Sequence, residues 1–157
     1  MIFIPGKSCC VLCGEVMNSG EDMFMFPPIT GNRKDPLFVL NDAGVHKECY
    51  HKFPHKGRWE AIWELWNDSK KNGRNICHLC NELIAEPDDH FSLGYLTLDK
   101  NNPLYEYNFL TLHKQCIPKI KEVRKLVDLL KDLLIQGDWY GNGIERRIST
   151  IEEMFKK

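Results

Sequence analysis

Apolar residues recur along the chain in two rhythms. The segments 22–26 and 91–98 are rich in Phe, Met, Leu and Tyr, and each leads through Pro, Gly, Asn or Asp into a second apolar run, at 37–40 or 104–110. Both read as strand, turn and returning strand. Downstream the spacing changes to three and four. Trp59, Ile62, Trp63 and Trp66 predict a helix over 58–70, and Val123, Leu126, Val127, Leu130 and Leu134 predict one over 120–135. A Gly-rich turn at 137–143 precedes Ile144, Ile148, Ile151 and Phe155, which predict a final helix folded back on the repeats or on a second subunit, as in a homodimer. Such a stripe more often serves a core than an interface.

The order of hairpin and helix occurs twice because the chain is duplicated. Shifted by 67 positions, Cys10, Cys13, His46 and Cys49 fall on Cys77, Cys80, His113 and Cys116, and 14 of the 43 positions in 10–52 match those in 77–119. Unrelated sequences would share roughly 2 to 4. The matches include Asp22 with Asp89, Thr30 with Thr97, Pro36 with Pro103, Asn41 with Asn108 and Lys47 with Lys114. Residues 70–75 are the candidate hinge between the copies.

These spacings change the reading of the seven cysteines. A C-x2-C pair followed after 32 residues by an H-x2-C pair, twice over, is a metal-ligand pattern. Two redox motifs would leave the recurring His unexplained. Three thiolates and an imidazole suit tetrahedral Zn²⁺ better than an iron–sulfur cluster. Two Zn²⁺ per chain are therefore expected, held by Cys10, Cys13, His46 and Cys49 and by Cys77, Cys80, His113 and Cys116. With all four positions filled by protein, both sites are expected to be structural. Cys9 lies outside the repeat, opposite Ile76, and the spacing favours Cys10 over it as the ligand.

A knuckle ending in Gly14 or Asn81, a hairpin, and a second ligand pair opening a helix resemble the treble-clef group of zinc fingers over 10–66 and 77–133. The resemblance implies fold and ligands more than function, since such modules bind proteins or nucleic acids and in a minority act as nucleases. LIM-type modules have a much shorter gap between ligand pairs. The expected architecture is α+β: a zinc module over 1–70, a second with a long helix over 71–136, and a turn and C-terminal helix over 137–157.

Composition narrows function less. The chain carries 21 Lys and Arg against 22 Asp and Glu, a formal charge of −1, which two Zn²⁺ and six thiolates take to about −3. That argues against a protein that mainly coats nucleic acid or an anionic membrane. No run approaches the roughly 20 apolar residues of a membrane span, and the first residues meet Pro5 and Gly6 without a signal-peptide core. A cytoplasmic protein with no membrane partner is expected. The leading functional expectation is a protein-binding adaptor, inhibitor or immunity-type protein, with the acidic segment 82–106 and Tyr95, Tyr105, Tyr107, Trp139 and Tyr140 as contact surfaces. The alternative is nucleic-acid binding through basic runs at 50–75 and 114–125, which include Lys52, Arg58, Lys71, Arg74, Lys114 and Lys125. A second alternative is a metal-dependent nuclease using Asp88, Asp89 or His90. Against it, His113 is already claimed by zinc, and His90 falls on Met23.

Overall fold

A computed structural model describes residues 3–71, 73, 75–141 and 143–156. Each copy opens with a knuckle. In the first, the Gly14 N–H donates to Cys10 O at 2.8 Å and the Cys10 N–H to Glu15 O at 2.9 Å. In the second, Asn81 donates to Cys77 O and Cys77 to Glu82 O, both at 2.9 Å. The turn needs a left-handed residue after the second cysteine, and Gly14 (φ +80°) and Asn81 (φ +60°) supply it.

Two short antiparallel hairpins follow. Strand β1 (Met23–Met25) pairs with β2 (Gly44–His46), Met23 opposite His46; β3 (His90–Ser92) pairs with β4 (Thr111–His113), His90 opposite His113. The ligand histidine thus ends each returning strand. The sequence reading placed those returning strands too early, at 37–40 and 104–110. These segments are instead 3-10 helices, Pro36–Leu40 and Pro103–Tyr107. Proline fixes φ at the first turn, and the side chains of Asp35 and Asn102 accept from the N–H groups of Leu37 and Leu104, each at 2.9 Å, closing a turn where a strand would need a ladder. Asn41 pins the loop across from it: Oδ1 accepts from Ile29 and Thr30 N–H, and Nδ2 donates to Thr30 O. Asn108 does the same to Leu96 and Thr97. The first strand of the second copy stops at Ser92 rather than at 98, with Gly94 at φ +72°.

The second ligand pair opens a helix in the first copy, α1 (Lys47–Lys52), followed by α2 (Lys56–Ser69). In the second copy Pro118 limits the equivalent segment to a 3-10 helix, Lys114–Lys119. Helix α3 (Val123–Ile135) then starts three residues later than the periodicity implies, because Glu122 is left-handed at φ +55°. Helix α4 (Gly143–Phe155) forms as the isoleucine stripe requires.

Each copy has an apolar core. One gathers Phe26, Leu37, Leu40, Val45, Tyr50 and Ile62; the other gathers Leu104, Leu112, Ile117, Leu126 and Leu130 with Ile144, Ile148 and Ile151 of α4. The final helix therefore closes the second repeat, and Lys131 on α3 pairs with Glu152 on α4 at 2.7 Å.

The copies also interlock. Tyr95 of the second repeat is buried in the first core. Thr111 N–H donates to His78 Nδ1, which leaves Nε2–H to donate to Ser69 O at the end of α2. The tail crosses back as well: Asn32 Nδ2 donates to Asp138 O, Tyr140 N–H donates to Asn32 Oδ1, and Arg33 N–H donates to Tyr140 O. Of the candidate hinge at 70–75, Asn72 and Arg74 lie outside the described residues. Among the described residues no helix is long and apolar enough to cross a membrane.

Candidate metal centres

All eight expected ligands converge, four and four. In each set the ligand atoms of the three cysteines and the histidine lie within 4.8 Å of one another. A tetrahedron with metal–sulfur bonds of about 2.3 Å and a metal–nitrogen bond of about 2.0 Å has edges of about 3.5–3.8 Å. Cys13 Sγ and Cys49 Sγ stand 3.5 and 3.9 Å from His46 Nδ1, and Cys80 Sγ stands 3.4 Å from His113 Nδ1. Each grouping can hold a metal ion. Cys9 is outside both; its thiol is exposed, 3.9 Å from Lys7 O.

Both imidazoles present Nδ1 to the thiols because Nε2 is occupied elsewhere. His46 Nε2 lies 3.3 Å from Glu21 Oε2, and His113 Nε2 lies 3.3 Å from Leu83 O. An acceptor at Nε2 keeps its proton there and leaves the Nδ1 lone pair for a metal. The sequence reading missed Glu21: its counterpart Asp88 is also acidic, but only Glu21 reaches the histidine, Leu83 O taking that place in the second copy.

Ionisation of the thiols is divided within each set. Burial pushes the Cys10 thiol up, but the backbone N–H groups of His46, Leu12 and Cys13 outweigh it and bring the pKa down to about 7. Cys77 is lowered to about 6, its burial outweighed by the N–H groups of Cys80, His113 and Leu79. Cys49 and Cys116 are pushed up to about 11 by burial and by the neighbouring thiols. Three thiolates in one pocket need a cation to coexist, and a bound divalent ion lowers all their pKa values together. The two sets differ in access. Cys13 is exposed and His46 and Cys49 are half-buried, whereas only Cys80 of the second set is not buried.

Several of the remaining residues singled out from sequence have structural partners. Asp89 Oδ1 accepts from Lys114 N–H at 2.9 Å. Asp88, Asp89 and His90 belong to neither ligand group, and among the described residues no third group of His, Cys, Asp and Glu is found. The basic runs are partly consumed: Arg58 pairs with Asp35, Lys71 with Asp68, and Lys125 with Glu122. Tyr95 and Trp139 are buried, whereas Tyr140 is exposed.

The apolar face of α2 is only partly covered. Trp59, Trp63 and Trp66 form a row with ring centroids 5.4 and 5.0 Å apart, the last two stacked at 22°. With Pro27, Pro28 and Phe109 they line a groove of about 440 Å³, and Trp63 is 42% exposed. At the matching positions of α3, Leu126 and Leu130 are fully buried. Comparison with protein-family models, curated proteins and solved structures returns no match for this chain.

Proposed function

We propose that the chain is a zinc-stabilised binding protein of two treble-clef-like modules, acting in a reducing compartment and recognising a partner protein rather than catalysing a reaction. Three thiols and one imidazole whose ligand atoms lie within 4.8 Å of one another suit Zn²⁺. Four protein ligands at each site leave no position for an activated water, which favours a structural role. Each repeat buries a small core, and a metal held by the folded chain alone would add roughly 10 kcal/mol or more to folding. The zinc ions would hold the knuckles, hairpins and helices as one rigid support.

The observation that carries the protein-binding reading is the open tryptophan row. Large aromatic side chains at a groove are the residues that dominate protein interfaces, and an apolar segment of a partner fits this one. The pairing of Arg58, Lys71 and Lys125 with carboxylates weighs against phosphate-backbone binding along the helices.

The test compares the wild-type chain with Trp63→Ala, chosen because Trp63 is exposed. A protein captured by the wild type is purified and titrated back while tryptophan fluorescence is followed. Saturable binding lost in Trp63→Ala, at unchanged metal content and melting temperature, supports the reading. Equal binding by both, or capture abolished by nuclease treatment, overturns it.

A further inference from the structure

The clefts beside the two ligand histidines have diverged in charge. In the first copy the cleft is lined by Glu21, Asp22 and Glu48 together with His46 and Lys47, and Lys47 Nζ pairs with Asp22 Oδ2 at 3.4 Å. In the second copy an open cleft of about 570 Å³ is lined by His90, Ser92, Lys114, Arg146 and Arg147. Asp89, the counterpart of Asp22, plays a different part. Its Oδ1 accepts from the Lys114 backbone N–H, and Lys114, which lines the cleft, forms no ion pair among the described residues.

Arg147 is the least expected member. Its Nε donates to Ser92 O at 2.9 Å. Among the described residues no carboxylate lies within ion-pair distance of Arg147, Arg146 or Lys114. Burial lowers the Arg147 pKa, so a partly desolvated guanidinium stands without a counter-charge, a costly arrangement unless an anion completes it.

We propose that this cleft binds a phosphate monoester, its phosphoryl group held by Lys114, Arg146 and Arg147. A guanidinium fork matches phosphate oxygens in pairs, and an ammonium adds a compact charge beside it. Ser92 lines the same cleft. The volume is that of a small-ligand site. A nucleic-acid backbone fits less well. The chain has no net positive charge, and Asp88, Asp89 and Glu145, neighbours in sequence of cleft residues, would repel a long polyanion passing over the rim more than one dianion seated inside.

The experiment titrates inorganic phosphate into the full-length, metal-loaded chain by calorimetry, with sodium chloride at equal ionic strength as reference. The same titration is run on Lys114→Gln/Arg146→Gln, two partly or fully exposed side chains, and on Lys47→Gln in the first copy. Saturable phosphate binding, weakened roughly tenfold or more in the double variant and unchanged in Lys47→Gln, is the expected result. No binding above the chloride reference, or equal binding by the double variant, overturns the site. A short DNA duplex that displaces phosphate and loses affinity in the same double variant overturns the monoester assignment in favour of a backbone phosphate.

Discussion

Arg58 Nη2 lies 2.8 Å from the Tyr95 hydroxyl, joining a helix of the first repeat to the loop of the second. The same nitrogen lies 2.8 Å from Asp35 Oδ2, and the guanidinium sits over the Tyr95 ring, 5.9 Å from its centroid. None of the three has an equivalent in the other copy, where Asn102, Lys125 and Pro28 stand. The bridge is what two identical modules would lack.

Removing the acid should cost most. Asp35 is nearly buried, with its side chain 4% exposed, while that of Arg58 is 35% exposed. Asp35→Ala is expected to destabilise the chain by about 2–3 kcal/mol, less than for a fully buried pair, with loss of the Leu37 cap included. Asp35→Asn keeps the cap and should cost less. Urea unfolding of both variants measures the difference.

Alkaline pH should loosen the same bridge. Burial holds the Tyr95 phenol up at about 12, despite the nearby Arg58 charge. A pKa raised above the unfolded value of about 10 means that Tyr95 contributes fully below about pH 10 and loses that contribution as pH rises toward 12. Burial raises Tyr50 and Tyr107 as well, so several tyrosines should titrate late by absorbance at 295 nm, and Tyr95→Phe should remove one of those steps and leave the others.

Metal should leave the two sites in order. The first set is the more accessible, with Cys13 exposed, so a colorimetric chelator is expected to take one equivalent quickly and the second slowly. Cys13→Ser should abolish the fast phase. Cys77→Ser or Cys116→Ser should abolish the slow one and unfold the second core. Unchanged metal content and melting in the last two variants would refute the structural role.

Glu21 should tune the first site alone. Its carboxylate holds His46 Nε2, so Glu21→Ala is expected to weaken metal binding there by about tenfold. The second site, oriented by Leu83 O, should keep its affinity. Competition with a chelator of known affinity reads both.

The repeat made the ligand sets legible from sequence. Cysteine and histidine spacing is fixed by coordination geometry, and duplication states it twice, so all eight residues of the two groupings are legible in the sequence. The long helices and the isoleucine stripe of α4 were legible because burial imposes a period on a helix. The returning strands were misread since Pro36 and Pro103, with Asp35 and Asn102 behind them, make local hydrogen-bonded turns that outweigh β propensity. Only the tertiary structure decided what the copies do not share: Arg58 reaching Tyr95, α4 covering α3 while the tryptophans of α2 stay open, and Lys114 freed beside Arg147. Each depends on residues distant in the chain meeting in space, and no local period records such meetings.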